Sequence, residues 1–356
     1  MSTPVLQPID LVHIIWNEKK YLFFGGYDYH RLSQHPKVKR SVKEAVDQYG
    51  LNCGGSRVTT GNHPLHIQLE NTISGFLKTE TTALLPTGYM ANLALFEIFA
   101  TKDIVCYYHP QCHPSLKAAM EISGLPKHVI PKDMKKLDKH IQSHGKKPCI
   151  VTDGLYSFLP PLQDYADIVE KYEGAFLVDE AHAIGILGDH GRGAVEYFNI
   201  SKKHLLITGS LSKGVGVSGG FVSGLTGCVG AVRDTIAYAT TSAMPLPMVA
   251  AGIASIEYLQ ENQDLIQNFQ QRCLKTKQNL SDLGYDVPII PSPTISIYIE
   301  DHKETDRLKH LLIEANIYPS LIRYPGKPDY FRFALSSAHT KANIDRLLDV
   351  LQKFRE

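Results

Sequence analysis

The chain has 356 residues, a 43% share of apolar residues and a formal net charge of +1, which leaves room for two domains and disfavours a nucleic-acid-binding surface. Its apolar runs are too short to span a membrane, and its first residues have neither a signal-peptide nor a transit-peptide pattern. Its six scattered cysteines suit a reducing compartment better than a disulfide framework, so composition predicts a cytoplasmic globular enzyme or binding protein.

Helical and β-type segments alternate through the first two thirds of the chain. A helix is predicted to begin at Pro64, because Leu65, Leu69, Ile73 and Leu77 recur on one helical face. Candidate strands are residues 83–85, 104–108, 149–153, 175–179, 204–208 and 220–223. Their near-continuous apolar character is typical of a mostly parallel sheet that is covered by helices on both sides.

The pattern changes after about residue 245. A long helical stretch is predicted to run toward Gly284, followed by a strand at 294–300, a helix at 304–315, a strand at 330–335 and a closing helix. This order indicates a smaller α+β domain. We therefore expect an N-terminal arm with part of the small domain at 1–50, a large domain at 51–245 and a small C-terminal domain at 246–356.

Three side chains in the middle of the chain carry the strongest chemical signal. Asp179 ends a predicted strand, His182 follows on the next turn, and Lys213 lies beside a glycine thirty-four residues after Asp179. A lone Asp here is more often a helix cap and a lone His a structural residue, but their spacing and the glycine-flanked lysine favour one shared site. A pyridine-ring cofactor needs an amine for its aldehyde, a carboxylate for its ring nitrogen and a hydrogen bond to its phenolic oxygen. The trio therefore predicts pyridoxal 5′-phosphate (PLP), used as an electron sink.

Other segments offer contacts to such a cofactor or to its substrate. The strand-to-helix junction at 86–92 would present N–H groups and a helix dipole to a phosphate, and Ser210 lies three residues before the lysine. His113 follows a strand and is placed to stack on a cofactor ring, with a solvated loop histidine as the alternative. Arg332 lies in an alternating strand and is suited to bind a carboxylate, with a solvated edge arginine as the alternative.

Two further patterns point to different chemistry. Gly214-Val-Gly-Val-Ser-Gly219 matches the dinucleotide fingerprint, which would indicate a nicotinamide-dependent oxidoreductase. We disfavour this hypothesis because the glycines run into the apolar segment 221–222 and Lys213 would intrude on the pyrophosphate. A metal site is not predicted either, since the candidate ligands contain no Cys-x-x-Cys pair. Those candidates are Cys106, His109, Cys112 and His113.

A larger set of motifs occurs in order between residues 21 and 351. They are Tyr21-Leu-Phe-Phe, Gly54-Gly-Ser-Arg, Gly61, Leu69-Glu70, Thr87-Gly-Tyr-Met-Ala-Asn92, Val178-Asp-Glu-Ala-His182, Gly188-x-x-Gly191-Arg-Gly193, Ser210-Leu-Ser-Lys213, Gly216-Val-Ser-Gly-Gly220, Thr240-Thr-Ser242 and Ser336-Ser-Ala-His339. Together they resemble the α-oxoamine synthase family of fold-type-I PLP enzymes, which join an amino acid to an acyl-CoA with loss of CO₂.

The resemblance implies a fold, a cofactor and a set of residue roles. The fold would be a large domain with a mostly parallel central sheet and a smaller α+β C-terminal domain, in a homodimer with shared active sites. Lys213 would be the Schiff-base lysine, with Asp179 on the pyridine nitrogen and His182 on the phenolic oxygen. The remaining implied contacts are His113 stacked on the cofactor, Gly88, Tyr89 and Ser210 on the phosphate, Thr241 or Ser242 from a second subunit, Ser157 near the phenolic oxygen, and Arg332 on the substrate carboxylate.

The chain departs from the family pattern beside the implied substrate site. Tyr27 replaces the Asn that helps the arginine to hold the amino acid, and Phe158-Leu-Pro-Pro161 replaces a polar turn. The resemblance implies alanine as the amino acid and an acyl-CoA as its partner. Glycine or serine, and an acyl-carrier-protein thioester, remain open alternatives.

Overall fold

The computed structural model describes residues 4–323 and 328–356. The strands, in chain order, are β1 (Gln7–Pro8), β2 (His13–Trp16), β3 (Lys19–Leu22), β4 (Thr81–Leu85), β5 (Ile104–Tyr108), β6 (Lys127–Val129), β7 (Lys147–Asp153), β8 (Ala175–Asp179), β9 (Leu205–Ser210), β10 (Gly220–Gly224), β11 (Thr294–Tyr298), β12 (Leu321–Ile322) and β13 (Tyr330–Ala334). The α-helices are α1 (Pro36–Tyr49), α2 (Pro64–Leu77), α3 (Gly88–Phe99), α4 (Pro114–Ser123), α5 (Met134–His144), α6 (Leu162–Lys171), α7 (Ala194–Tyr197), α8 (Thr226–Arg233), α9 (Ile236–Ala239), α10 (Leu246–Glu261), α11 (Gln263–Asp282), α12 (His302–Glu314) and α13 (Lys341–Arg355). Within those residues, none of the helices combines the length and the hydropathy that crossing a bilayer requires.

The large sheet has seven strands in the order β4-β10-β9-β8-β7-β5-β6. The pairs from β9 to β6 are parallel, and β10 alone runs antiparallel to both of its neighbours. The predicted mostly parallel sheet is therefore confirmed. The six strands that share one direction place their carboxyl ends along one edge of the sheet, where a ligand site is expected.

The near-continuous apolar strands arise because both faces of this sheet are buried. In β8, Phe176 and Val178 join one hydrophobic cluster, and Leu177, which points to the opposite face, joins the other. The same alternation holds in β9, where Leu205 and Ile207 share the first cluster and Leu206 belongs to the second. A strand buried on both faces reads as an unbroken apolar run.

A second, antiparallel sheet in the order β11-β13-β12 forms the core of the C-terminal part. Phe331 and Phe333 of β13 are fully buried and belong to the same hydrophobic cluster as one face of the large sheet. The N-terminal hairpin lies close to this part, because Leu22 forms an isolated bridge with Ile317. The N-terminal segment therefore contacts the C-terminal part of the chain.

Two local predictions differ from the structure. The predicted single helix between residues 245 and 284 is two helices, α10 and α11, separated at Asn262. The Asn262 side chain donates to the Tyr258 carbonyl at 2.8 Å, and this competition with the backbone helps to end α10. The strand predicted at 204–208 is β9, which runs from Leu205 to Ser210 and therefore ends two residues closer to Lys213 than predicted.

Candidate active site

Asp179 is the last residue of β8 and lies at the carboxyl edge of the large sheet. Its Oδ2 accepts a hydrogen bond of 2.9 Å from Asn92 Nδ2, and its Oδ1 accepts one of 3.0 Å from the Ala181 N–H. Asp179 and Asn92 are both buried. The two donors hold the carboxylate in one orientation, as a group that must face a pyridine nitrogen requires.

His182 lies in the turn after β8 and is buried among aromatic rings. The hydroxyl oxygen of Tyr29 is 2.7 Å from His182 Nδ1. Burial, and then the Lys213 cation, hold the pKa of His182 well below its usual range, so the imidazole is neutral. When the Tyr29 hydroxyl donates to Nδ1, the ring proton is on Nε2, which is then a donor. His182 is thus prepared to donate a hydrogen bond to a phenolic oxygen.

Lys213 lies in the turn between β9 and β10. The next residue, Gly214, determines how closely this turn packs against the rest of the chain. A Cβ atom at Gly214 would be 2.1 Å from the Ile184 carbonyl oxygen. Only glycine permits this approach, which brings the Lys213 turn against the residues that follow His182. The glycine-flanked lysine of the sequence pattern therefore has a packing reason.

The amine of Lys213 is held among aromatic and acidic groups. Its Nζ atom is 5.7 Å from the centre of the Tyr27 ring. Burial lowers the pKa of Lys213, and the carboxylates of Asp179 and Asp153 oppose that change. Burial, and then Asp179, raise the pKa of Asp153. A lysine with a lowered pKa loses its proton more readily, as an amine that attacks an aldehyde must.

The N-terminus of α3 and the end of β9 form a corner suited to an anion. Thr87 caps α3 through a hydrogen bond of 3.2 Å from the Met90 N–H to its Oγ1. A Cβ at Gly88 would be 3.1 Å from both the Gly209 carbonyl oxygen and Ser210 Cβ, so the start of the helix lies directly beside Ser210. The first N–H groups of a helix have no partner within it, and together with a hydroxyl they suit a phosphate.

The other predicted phosphate contacts lie beside this corner. The Tyr89 side chain is 47% exposed. Thr241 Oγ1 donates to the Ala237 carbonyl at 2.7 Å, and the exposed Ser242 forms an isolated bridge with Ser56. Tyr89 and Ser242 are therefore exposed, and Thr241 is half-buried.

A chain of hydrogen bonds connects Asp179 to His113. Asn92 Nδ2 donates to Ser115 Oγ at 2.9 Å as well as to Asp179, and Ser115 Oγ is 2.7 Å from His113 Nδ1. The Ser115 N–H also donates to that nitrogen, at 3.2 Å, so Nδ1 is the acceptor and the neutral ring carries its proton on Nε2. Partial burial, and then Lys213, lower the pKa of His113. The network fixes the ring and its tautomer.

Arg332 of β13 extends toward the site from the small sheet. Its Nη1 donates to the Tyr156 hydroxyl at 3.3 Å, and its guanidinium carbon is 5.0 Å from the centre of the Tyr27 ring. The flanking Phe331 and Phe333 are buried in the core, as their alternation predicts. A half-buried guanidinium that is held by aromatic rings is suited to bind a carboxylate through two parallel hydrogen bonds.

Tyr27, the departure from the family pattern, lies between the two cations of the site. Its ring is within 6 Å of Lys213 Nζ and of the Arg332 guanidinium, and it packs edge-on against His182 with a centroid distance of 5.4 Å. Where an Asn offers one amide, the tyrosine provides a wide aromatic wall. The region around the substrate therefore has a different shape from the family pattern.

The loop after β7 carries the second departure. Ser157 is half buried in this loop, next to Tyr156, whose N–H donates to the Phe158 carbonyl at 3.0 Å. The Phe158 ring stacks on His109 with centroids 4.5 Å apart. The loop is thus anchored by aromatic stacking rather than by a polar turn.

The dinucleotide hypothesis is wrong. The glycines of residues 214–219 connect β9 to β10, which pair antiparallel, and no helix begins there. A dinucleotide fingerprint must open a helix to present its N–H groups to a pyrophosphate. A second glycine-rich stretch, residues 185–193, leads to Ala194 and Val195. The N–H groups of these two residues donate to the carboxylate of the buried Glu180. That stretch has a packing function.

Several polar residues of the site were not among the predicted contacts. They are Tyr29, Asn92, Ser115, Asp153 and Tyr156. Asn92 lies within the Thr87–Asn92 motif, and its position one helical turn from Gly88 was a usable signal. Its Oδ1 is buried without a hydrogen-bond partner among the described residues, which leaves an acceptor at the edge of the site. The others approach Asp179, His182 and Arg332 from distant parts of the chain.

The chain is similar to known proteins over nearly its whole length. The family model "Aminotransferase class I and II" matches residues 19–351. The 8-amino-7-oxononanoate synthase of Bacillus pumilus is 28% identical over 348 residues, covering 95% of this chain and 88% of that protein. A serine palmitoyltransferase structure from Sphingomonas wittichii has a TM-score of 0.91 at 26% identity, covering 99% of this chain and 91% of that one. An 8-amino-7-oxononanoate synthase structure from Francisella tularensis has a TM-score of 0.80 at 26% identity, covering 94% and 97%.

The chain therefore belongs to the aminotransferase class I and II family, within its α-oxoamine synthase branch. The predicted fold-type-I architecture and the predicted PLP cofactor are confirmed, and the protein is a PLP-dependent acyltransferase. The residues in the site fit PLP: Lys213, whose pKa is lowered, interacts electrostatically with the buried carboxylate of Asp179 and the neutral imidazole of His182, and the start of α3 beside Ser210 offers an anion corner.

Proposed function

We propose that this enzyme condenses an amino acid, alanine in the first instance, with an acyl-CoA, releasing CO₂ and forming an α-aminoketone. The observation that carries the proposal is the convergence of Asp179, His182 and Lys213 at the carboxyl edge of the large sheet, opposite Arg332 of the small sheet. The curated relatives named 8-amino-7-oxononanoate synthase match over nearly their whole length, which favours that reaction and a place in biotin biosynthesis.

PLP, when bound, supplies a conjugated ring that accepts the electron pair left on the amino-acid Cα. Lys213 would hold the cofactor aldehyde, Asp179 would face the ring nitrogen, and His182 would donate from Nε2 to the phenolic oxygen. His113 would stack on the ring. The phosphate would lie at the start of α3, with Gly88, Tyr89 and Ser210 as its contacts and Ser157 closer to the phenolic oxygen.

The chain's own groups would then bind the substrate and move its protons. Arg332 would hold the amino-acid carboxylate, and Tyr27 would form the wall beside it. Once an amino acid has displaced Lys213, the free amine would remove the Cα proton, since its lowered pKa favours the neutral base. His113, with its proton on Nε2, would orient or protonate the intermediates.

The proposed enzyme is a cytoplasmic homodimer with shared active sites. Thr241 or Ser242 of one subunit would contact the phosphate bound by the other, which the exposure of Ser242 supports. We also propose the division into residues 1–50, 51–245 and 246–356, supported by the separate small sheet and by the Leu22–Ile317 bridge.

Other substrates of the same chemistry are glycine or serine in place of alanine, and an acyl-carrier-protein thioester in place of acyl-CoA. The departures at Tyr27 and at Phe158-Leu-Pro-Pro161 bear on this choice. A panel of acyl-CoA thioesters, offered with each amino acid in turn, resolves it through release of free thiol.

The proposal predicts that thiol release depends on both substrates. It also predicts a ketone product with one carbon fewer than the amino acid and the acyl group together, because one carbon leaves as CO₂. Borohydride reduction before digestion should leave the pyridoxyl group on the peptide that contains Lys213. A PLP-loaded protein that releases no thiol with any amino acid, or that carries the pyridoxyl group on another lysine, would contradict it.

A further inference from the structure

Three histidines form a cluster at the edge of the large sheet. His128 lies in β6, and His140 and His144 lie four residues apart on α5, so that they share one helix face. Their ring centroids are 4.5 Å apart for His128 and His140, and 5.0 Å apart for each of the other two pairs. One ring nitrogen from each of the three lies within 4.8 Å of the others.

The cluster is separate from the active site. His144 is the last residue of α5 and immediately precedes β7, which begins at Lys147, so it lies where that strand starts. Asp179 ends β8, the parallel neighbour of β7. His128 pairs in register with Tyr107 of β5, and β5 and β7 both lie between β6 and β8, so the cluster on the outer strand is separate from Asp179 and has no part in the proposed catalytic chemistry.

The chemistry of these side chains points to a metal ion rather than to another ligand. Protonated imidazoles this close together would repel one another, whereas neutral imidazoles can each give a lone pair to one metal ion. His128 Nε2 is buried and has no hydrogen-bond partner in the part of the chain that the structure describes. Neutral imidazole nitrogens without carboxylates suit zinc, copper and nickel, whereas magnesium and calcium require oxygen ligands.

We propose that His128, His140 and His144 bind one divalent transition-metal ion, with Zn²⁺ as the leading candidate. Tetrahedral zinc holds its ligand nitrogens about 3.4 Å apart, so a spacing of up to 4.8 Å would close by at most about 1.4 Å. The exposed His144 at the end of α5 has the freedom to make that movement. A water molecule would complete the tetrahedron, because this side of the cluster faces solvent.

Metal binding there would have a structural consequence. β6 has three residues and pairs only with β5, which makes it the edge strand of the sheet. A metal ion would connect this short strand to the end of α5. Tyr107 of β5, whose ring lies 5.7 Å from both the His128 and His140 rings, forms the inner wall of the site.

The test is a titration with Zn²⁺ alone, measured by calorimetry. The full-length, PLP-loaded wild-type protein and the variants His140→Gln and His144→Gln are titrated in the same way. The wild-type protein should bind one zinc ion per chain at this site, and each variant should lose at least about tenfold in affinity. His310→Gln, which removes an exposed helical histidine outside the cluster, should bind zinc as the wild type does.

Co²⁺ provides an independent readout. The wild-type protein and His310→Gln should show the visible d–d bands of tetrahedral cobalt without a thiolate charge-transfer band, and both cluster variants should lose them. Thiol release in the standard assay checks that the variants are folded, because neither residue belongs to the catalytic site. Equal zinc affinity in the wild type and in both cluster variants, or no stoichiometric binding by the wild type, would overturn the proposal.

Discussion

The candidate active site has two halves, one proposed for the cofactor and one for the substrate, and they are built differently. The cofactor half consists of groups at the carboxyl edge of the large sheet, where Asp179 ends one strand and Lys213 follows another. The substrate half consists of side chains from the N-terminal segment and the small sheet, namely Tyr27, Tyr29 and Arg332. The cofactor half follows the family pattern, whereas the substrate half carries the Tyr27 departure. Strand ends buried on both faces hold catalytic groups in place, and the approaching segments are where specificity can change.

The largest expected effect is in the cofactor half. Lys213→Ala should lower kcat by about 10⁴-fold or more, because it removes both the amine for the aldehyde and the base for the Cα proton. Lys277→Met is the matched control, since Lys277 is a buried lysine of α11 whose pKa burial lowers to about 8. Steady-state thiol release measures both. A Lys213→Ala enzyme with near-normal kcat would contradict the assignment of Lys213 to the cofactor half.

Asp179→Ala should lower kcat by about 10²–10³-fold, because the ring nitrogen loses its carboxylate partner. The control is Glu180→Gln at the neighbouring position. Burial raises the pKa of Glu180 to about 7, and its two oxygens accept the N–H groups of Ala194 and Val195; glutamine keeps one of these two acceptors, so it should lower stability but leave kcat of the folded, PLP-loaded enzyme near the wild-type value. If both variants lose activity equally, the two adjacent carboxylates do not have the separate functions that the structure indicates.

Substitutions in the substrate half should change KM for the amino acid more than they change kcat. Arg332→Lys keeps a cation but loses the two-pronged contact with a carboxylate, and we expect KM for the amino acid to rise about 10–100-fold with a smaller change in kcat. Arg307→Lys, at an exposed position of α12, should leave KM unchanged. A loss confined to kcat would assign Arg332 to the chemistry instead of to binding.

Tyr27→Asn restores the family residue and should alter amino-acid choice. We expect the ratio of kcat/KM values for alanine, glycine and serine to change by about tenfold, because the variant exchanges an apolar wall for an amide. Tyr298→Asn, at an exposed tyrosine, is the control. Unchanged ratios would show that the departure at Tyr27 has no bearing on specificity.

The smallest effect concerns stability rather than turnover. His30 is buried, its Nε2–H donates to the Gly185 carbonyl at 2.6 Å, and burial lowers its pKa to about 4. The unfolded chain takes up this proton near pH 6.5, so the stability that neutral His30 contributes is complete above that pH. It is lost as the pH falls toward 4, at up to about 1.4 kcal/mol per pH unit.

His30→Gln keeps the donor to Gly185 but cannot titrate. Urea unfolding of the PLP-loaded protein between pH 7 and pH 4.5 should therefore give a shallower decline in the variant than in the wild type. Identical slopes would show that another group causes the acid sensitivity.

The two halves also differ in how well they could be predicted. The placement of Asp179, His182 and Lys213 near one edge could be predicted because each lies at or shortly after a strand end that apolar residues reveal, whereas their roles stay predictions. Tyr29 was not predicted, although its hydroxyl contacts His182, because 153 residues separate the two and no local periodicity records the contact. The break at Asn262 was missed because the side-chain hydrogen bond that helps to end α10 leaves no trace in the apolar periodicity.

The histidine cluster illustrates the same limit. The spacing of His140 and His144 is visible in the sequence, but β6 is a three-residue edge strand without a predictive pattern. Only the pairing of β6 with β5 brings His128 to the helix.

The sequence by itself determined the layered α/β architecture and the cofactor, and it singled out the three residues proposed to contact that cofactor, since burial patterns and strand ends are local properties. The tertiary structure alone decided the contact of Tyr29 with His182, the position of Tyr27 between two cations, and the meeting of the three histidines. Each of these depends on side chains that approach from distant segments, where loop paths and packing, rather than local spacing, determine the contact.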